Sequence, residues 1–147
     1  MMTIHVDTKN EALSTEAALA HCSAPGHGAA DLFIGRVRDL NQGRAVNAVS
    51  YDLHPLLCCN VFREICEEAR AEWGEALHFW LEHRQGRLAV GDDSVVVAVS
   101  SPHRDESFKA CRYLVEQMKH RAPIWKQEHY VDGDSAWVQG HALCSHG

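Results

Sequence analysis

The sequence lacks the features that mark a membrane, secreted or nucleotide-binding protein. No apolar run approaches the roughly 20 residues that a membrane helix needs, and residues 1–7 show neither the basic nor the apolar region of a secretory signal. The motifs G-x-x-x-x-G-K-S/T, G-x-G-x-x-G and G-x-S-x-G are also absent, so no motif indicates a phosphate loop, a dinucleotide-binding fold or a serine hydrolase. We therefore expect a cytoplasmic protein that does not associate with membranes.

Cysteine is present, but its pattern predicts neither a disulfide framework nor a zinc site. The six cysteines are irregularly spaced, two of them are adjacent, and no C-x-x-C pair occurs. His54 lies four residues before Cys58 and Cys22 lies five residues before His27, but no second pair has the spacing of zinc ligands. We expect no metal and no cofactor, and we expect most of the thiols to act as small buried apolar groups.

The charge distribution favours a small anionic ligand. The 147 residues are 46% hydrophobic and 23% charged, which predicts one globular domain over residues 1–147. The net charge of the chain is -6, yet residues 101–130 hold six basic and four acidic side chains, a local charge of +2. A nucleic-acid surface needs a wide positive footprint, so this narrow basic segment argues against a nucleic-acid partner.

Apolar periodicity predicts strands and helices that mix without strict alternation. Residues 94–101 are apolar and β-branched through their middle, which indicates a central strand buried on both faces. A polar loop is expected at 39–44 and a small β excursion at 86–93. The mixed order favours an α+β fold with a largely antiparallel sheet over a doubly wound parallel fold. The predicted strands are 4–6, 29–37, 46–53, 76–83, 94–101, 124–130 and 136–138, and the predicted helices are 8–21, 55–73 and 105–121.

Two lysines bracket a proline corner in residues 119–128. Lys119 closes a predicted helix and Lys126 lies in the strand that follows Pro123, which cannot continue the helix. Two neighbouring ammonium groups lower each other's pKa and attract an anion. The alternatives are that Lys119 complements the helix dipole and that Lys126 is a solvated strand residue. Glu128 shares the strand face of Lys126, as a candidate ion-pair partner or acid–base group.

An imidazole and a guanidinium follow the predicted central strand. His103 and Arg104 lie between that strand and the next helix, where ligand sites are common, and Arg104 has the geometry to clamp a phosphate. The alternative is a simple loop with Asp105 as the helix N-cap.

Two more basic pairs lie at predicted strand ends. Arg36 and Arg38 flank Val37 just before the polar loop, and alone such a pair is typical of a protein surface. His83 and Arg84 end the predicted strand 76–83, and we interpret them as structural.

Five segments together resemble the large, catalytic subunit of molybdopterin synthase. They occur in the family's order over about residues 26–138, and the run Pro-Ile-Trp-Lys-Gln-Glu after the helix end Lys-His-Arg-Ala is highly specific. The segments are Phe-Ile-Gly-Arg-Val-Arg (33–38), Val-Ser-Tyr-Asp (49–52), His-Arg-Gln-Gly-Arg-Leu (83–88) with Gly-Asp (91–92), Ser-Pro-His-Arg (101–104) with Phe108, and 119–128.

The resemblance implies a fold, an assembly and a reaction. The fold is a hammerhead-type α/β sandwich with a mostly antiparallel sheet and a small extra β subdomain. The assembly is a homodimer that carries a small ubiquitin-like sulfur-carrier subunit at each end, a heterotetramer in all. The reaction moves sulfur from the carrier's C-terminal thiocarboxylate to cyclic pyranopterin monophosphate, and two transfers form the dithiolene of molybdopterin without a metal.

The resemblance also assigns roles to residues. Lys119 matches the lysine at the carrier's C-terminus, where it binds the thiocarboxylate or shuttles protons, and Lys126 matches the second lysine of the pocket. It allows the other protomer of the dimer to supply His103 and Arg104. The implied catalytic residues are Lys119 and Lys126, and the implied substrate-binding residues are Arg36, Val37, Arg38, His103, Arg104, Lys119, Lys126, Gln127 and Glu128, with Gln127 and Glu128 on one wall.

One departure from the family and two alternative functions stand beside this reading. Some family members carry an arginine shortly after the Trp137–Val138 pair, where this chain has Gln-Gly and His141. The alternatives are a non-catalytic docking module for a ubiquitin-like carrier tail and a phosphometabolite-binding domain. Both lysines occur together with Arg38 and the His-Arg pair, and this favours the enzyme because docking alone needs no phosphate clamp.

Overall fold

The structure is a computed structural model that describes residues 3–133 and 135–138. Three helices and nine strands occur in this part of the chain. None of these helices is long and apolar enough to cross a membrane. His141 and Cys144 lie outside the described residues. In chain order the elements are β1 (Ile4–Lys9), α1 (Thr15–His21), β2 (Ala29–Arg36), β3 (Leu40–Asn41), β4 (Arg44–Leu53), α2 (Pro55–Trp73), β5 (His78–Arg84), β6 (Gly86–Ala89), β7 (Asp93–Ser101), α3 (Arg104–Arg121), β8 (Ile124–Tyr130) and β9 (Ser135–Val138).

Four strands form the first sheet, in the order β1-β5-β7-β2. The β1–β5 pair is parallel, while the β5–β7 and β7–β2 pairs are antiparallel. Helices α2 and α3 pack on one face, where Phe62, Leu81, Val97 and Leu114 are fully buried, and α1 covers the other face through Ala18. Strand β7 lies inside the sheet and is buried from its second residue onward, which confirms the predicted central strand.

The second sheet is built around β4, and all its pairs are antiparallel. Strand β8 lies along one edge of β4 with β9 beyond it, while β3 and β6 pair with β4 along its other edge. Strand β6 confirms the β excursion predicted at 86–93. The predicted α+β architecture with mostly antiparallel pairing is therefore confirmed, although the strands divide between two sheets.

The segment predicted as a polar loop at 39–44 is a tight hairpin. Leu40 and Asn41 pair with Ala45 and Arg44, and the two residues between them have left-handed backbones, with φ of 51° at Gln42 and 78° at residue 43, a glycine. Two such residues suit the two-residue turns that match the twist of antiparallel strands. A two-residue strand has no periodicity, so the sequence pattern could not reveal it.

The first helix is shorter than predicted. Residues 4–9 pair with β5 as an edge strand, up to Lys9 opposite Arg84. The helix then begins at Thr15, where the hydroxyl of Ser14 accepts a hydrogen bond from the backbone N–H of Ala17 at 3.1 Å. Pairing with β5 prevails here over the local helical pattern.

The two long helices follow their predicted bounds closely. Helix α2 starts at Pro55 and ends at the Gly74 cap, as predicted. Helix α3 starts at Arg104, so Asp105 lies in its first turn and is not its N-cap. Phe108 is 60% exposed, because the buried face of α3 runs through other residues, among them Ala110 and Cys111.

The cysteines of the described residues behave as expected. Cys22, Cys58, Cys66 and Cys111 are buried, Cys59 is partly buried, and all five are free thiols.

Candidate active site

A cavity of about 360 Å³ opens where the end of the first sheet meets the face of the second. The end of β2, the segment after it, the end of β5 and the start of β7 form one side. Strands β4 and β8 form another, and the last turn of α3 closes the space. The charged side chains in its wall are Arg36, Arg38, Lys119, Lys126 and Glu128, with the imidazole of His83 beside them.

Lys126 and Glu128 form a largely buried ion pair in this wall. They face Tyr51 and Val49 across the β4–β8 ladder, because alternate residues of a strand share a face. Lys126 Nζ lies 3.4 Å from Glu128 Oε1, and the two side chains are only 12% and 11% exposed. Burial lowers the pKa of Lys126, and Glu128 offsets part of that effect.

Lys119 faces the same space from the last turn of α3. Its positive charge, with that of Arg38, adds to burial in lowering the pKa of Lys126, so the predicted influence across the proline corner is present in the direction from Lys119 to Lys126. Arg121, in the same helical turn, points elsewhere and donates to both carboxylate oxygens of Glu68 on α2, at 2.7 and 3.0 Å. One cation of this turn therefore ties two helices together, and another faces the cavity.

The carboxylate of Glu128 is held by three donors. Tyr130 Oη donates to Oε2 at 2.8 Å, Asn41 Nδ2 donates to the same oxygen, and Lys126 lies against Oε1. Asn41 was missed by the sequence analysis because its role depends on a contact 87 positions away in the chain.

His83, interpreted from the sequence as structural, lies in the cavity wall. It is buried, and its Nδ1 donates to the carbonyl of Arg84 at 2.8 Å. Burial lowers the pKa of His83 to about 4, so the ring is neutral near pH 7. It meets the ring of Tyr51 edge-on, with 4.9 Å between centroids, and burial raises the pKa of Tyr51. A neutral imidazole and a protonated phenol thus line the wall beside two lysines.

The strand-end residues 36–38 also reach the cavity. Arg36 is mostly exposed, and its Nε donates to Asp93 Oδ1 at 3.0 Å. Val37 is buried and Arg38 is exposed, with Arg38 near enough to influence Lys126.

Gln127, expected on the same wall as Glu128, does not lie in the cavity wall. It lies opposite Ser50 in the β4–β8 ladder, on the face where Ser50 Oγ and His129 Nε2 are hydrogen-bonded at 2.7 Å. Strand alternation turns it away from the side of Glu128, so it does not line the cavity.

His103 and Arg104 lie at the opposite end of α3. Both are exposed and line a separate surface depression with Phe108. A helix rises 1.5 Å per residue, so Arg104 and Lys119 are about 22 Å apart along its axis. Within one chain the structure does not bring this pair to the lysines.

A possible metal-binding group lies away from the cavity. His5, Asp7 and Glu82 on β1 and β5 hold ligand atoms within 4.8 Å of one another. His5 Nε2 is already 2.6 Å from Glu82 Oε2, and Lys9 Nζ is 3.3 Å from Asp7 Oδ2. The pairs His54–Cys58 and Cys22–His27 do not belong to this group.

Comparison with known proteins places these features in a family. Residues 8–121 match the family described as MoaE protein. A molybdopterin synthase catalytic subunit from Synechococcus elongatus is 48% identical over 87% of this chain and 78% of its own length. The crystal structure of molybdopterin synthase from Staphylococcus aureus matches with a TM-score of 0.85 and 30% identity, over 94% of this chain and 98% of that one. A Helicobacter pylori complex of subunits 1 and 2 of molybdopterin-converting factor shares the fold, with a TM-score of 0.73 and 21% identity over 92% and 90% of the two chains.

Proposed function

This chain belongs to the MoaE family of molybdopterin synthase catalytic subunits, and from that premise we propose how its cavity transfers sulfur. The donor is the C-terminal thiocarboxylate of a small ubiquitin-like carrier subunit, and the acceptor is cyclic pyranopterin monophosphate. The observation that carries this proposal is the cavity that joins Lys119, Lys126 and Glu128. None of the described cysteines lines it, which agrees with sulfur that arrives on a partner.

Lys119 is the residue that meets the carrier's tail. It stands half-buried at the cavity wall, where an ammonium attracts a thiocarboxylate anion more strongly than it would in open water. Each transfer forms a carbon–sulfur bond at a pterin carbon as a carbon–oxygen bond of that carbon breaks. Water then cleaves the bond between the sulfur and the carrier's terminal glycyl carbonyl, which leaves the carrier as a carboxylate. Lys119 binds the anion, and its amine accepts or returns the proton that this exchange moves.

Lys126 is the residue that meets the phosphorylated pterin. Its ammonium is buried and its pKa is lowered, so a second anion in the cavity gains a strong electrostatic partner. Arg36, Val37 and Arg38 form the neighbouring wall and supply two further cations. The negative charge of Glu128 reduces the mutual repulsion of these cations before an anion binds.

His103 and Arg104 complete the site from the other protomer of a homodimer. Their exposure and their distance from Lys119 along α3 support this assignment, since a chain that used them in its own cavity would have to bend that helix. With one carrier at each end, the assembly is a heterotetramer. We further propose that residues 1–147 act as one domain and that the protein works in the cytoplasm.

The test is reconstitution of the reaction with purified components. The protein is incubated with thiocarboxylated carrier and cyclic pyranopterin monophosphate, and dithiolene product is measured. Lys119→Ala is expected to lower turnover by about 100-fold or more. Lys109→Ala is the matched control, because Lys109 lies on the same helix, 56% exposed and paired with Asp105, and this variant should keep wild-type turnover.

Two outcomes would contradict the proposal. Wild-type protein that binds the carrier but forms no product would indicate the docking module instead. Equal turnover in the Lys119→Ala and Lys109→Ala variants would indicate that Lys119 only complements the dipole of its helix.

A further inference from the structure

We propose that Asn41 is a positioning residue, which holds the Glu128 carboxylate with one oxygen turned toward Lys126. Asn41 touches no reacting atom in this scheme and acts through Glu128. The inference rests on the function proposed above for Lys126. It extends the site to the β3–β4 hairpin, a segment without a role in that function.

The contacts divide the two oxygens of Glu128 between different partners. Asn41 Nδ2 and Tyr130 Oη both donate to Oε2, and Asn41 Nδ2 also donates to Tyr130 Oη at 2.9 Å. Oε1 is left to Lys126 Nζ at 3.4 Å. Both hydrogens of the Asn41 amide are used, so the carboxylate is fixed in rotation with one oxygen turned toward the lysine.

Burial makes these donors important. Asn41 is 6% exposed and Glu128 is 9% exposed, and a buried carboxylate is stable only where donors replace its lost water. The ion pair with Lys126 has a separation too long for a tight hydrogen bond. The position of the Glu128 carboxylate therefore depends strongly on the amide and the phenol at its other oxygen.

The hairpin that carries Asn41 is fastened to β8 on a second side. The guanidinium of Arg44 lies 3.7 Å above the ring of Tyr130, and it donates to both oxygens of Asp132 at 2.8 and 2.9 Å. The left-handed turn at residues 42–43 places Asn41 and Arg44 side by side. A fixed amide, and not a mobile loop, therefore presents its donors to Glu128.

Other charged and titratable groups face Glu128 from the surrounding elements. Tyr51 approaches from β4; burial raises its pKa, and the negative charge of Glu128 adds a smaller contribution in the same direction. Lys126 and Tyr130 belong to β8, and burial lowers the pKa of Lys126 and raises that of Tyr130. Arg38, Lys119 and His83 line the rest of the cavity. The imidazole of His83 is neutral and donates to the carbonyl of Arg84, so it does not substitute for Asn41.

The test compares the pH dependence of variants that remove one donor. In Asn41→Ala the carboxylate loses one of its donors, and the acidic limb of the turnover profile should move up by about one to two pH units. Tyr130→Phe removes the other donor and should move the limb in the same direction. Asn41→Asp has nearly the same shape but sets a second carboxylate against the first, so it should move the limb furthest.

The control and the contrary outcome separate this inference from the proposed function. Asn60→Ala changes an exposed asparagine of α2 and should leave the profile unmoved. Titration of the Glu128 side chain by NMR, in protein labelled at the glutamate carboxyl carbon, gives the same comparison without turnover. The inference is overturned if Asn41→Ala lowers turnover equally at every pH and leaves that titration unchanged. An inactive wild-type protein would instead refute the function proposed above.

Discussion

The two ends of helix α3 hold their charged side chains in different ways. At its C-terminal end, Lys119 faces a cavity in which Lys126 and Glu128 are largely buried and Glu128 has three donors. At its N-terminal end, His103 and Arg104 are exposed, and His103 makes no side-chain cap to the helix. One end is held in place by the chain itself, whereas the other presents its cations to whatever lies outside.

This difference indicates where rigidity is supplied. Buried charges need a surrounding network before any ligand arrives, and residues from β3, β4, β5 and β8 supply it. Exposed cations need no network, and they gain a fixed geometry only when a second surface covers them. In the site proposed above, one side is therefore rigid before assembly, and the other side would gain its geometry from the dimer contact.

The largest expected effect comes from separating the two ends into different protomers. Arg104→Ala should lower turnover by about tenfold or more and Lys119→Ala by about 100-fold or more, because each removes a charge that meets an anion. Co-expression of the two variants should restore about a quarter of wild-type turnover, since half of the dimers are mixed and each mixed dimer has one intact site.

The matched control combines two variants from the same end. Lys119→Ala with Lys126→Ala breaks the cavity in both protomers of a mixed dimer, so no turnover should return. Recovery in this control, or its absence in the first mixture, would contradict a site shared between protomers.

A smaller effect is expected on folding stability, which should fall with pH because of the buried His83. The pKa of His83 falls from 6.5 to about 4 on folding because of burial, so the unfolded chain binds a proton at higher pH than the folded one. This contribution to stability is present above pH 6.5 and is lost as the pH falls toward 4. Between pH 7.5 and 4.5, wild-type protein should lose about 2 to 3 kcal/mol more unfolding free energy than His83→Gln.

Urea unfolding at the two pH values measures this difference. His120→Gln, at an exposed position on α3, is the control and should lose as much stability as the wild type. A His83→Gln variant that also matched the wild type would show that His83 is not buried in a neutral state.

The smallest effect is expected at the mouth of the cavity. Arg36 and Asp93 form an ion pair at 3.0 Å, but the arginine side chain is 62% exposed. A double-mutant cycle of Arg36→Ala with Asp93→Ala should give a coupling energy of about 1 kcal/mol or less. A much larger coupling energy would mean that Arg36 belongs with the buried network and not with the solvent-facing cations.

Local signals predicted the parts of the fold that depend on local chemistry. Pro55 and Gly74 bound α2 because one residue fits a first helical turn and the other a helix end. The uninterrupted apolar run at 95–99 identified the central strand. Asn41 and His83 left no such signal. They are buried by contacts with residues that are close in space but remote in the sequence.

For the candidate site, the resemblance gave the residues but not their geometry. Gln127 illustrates this, since the same period of two that joins Lys126 and Glu128 already assigns it to the other face of β8. The length of α3 likewise separates Arg104 from Lys119, a distance that helix geometry gives once the helix is assigned. The contact between Asn41 of the β3–β4 hairpin and Glu128 could be found only in the folded structure.

The buried thiols have a consequence for a protein that handles reactive sulfur. Burial raises the pKa of Cys22, Cys58 and Cys111 to about 12, and it also raises that of Cys66 and Cys59. At pH 7 only about one in 10⁵ of the first three is a thiolate, the form that attacks sulfur. Persulfide formation and disulfide exchange with an activated donor are thus suppressed at these five cysteines. The donor's sulfur therefore does not react with them before it reaches the acceptor.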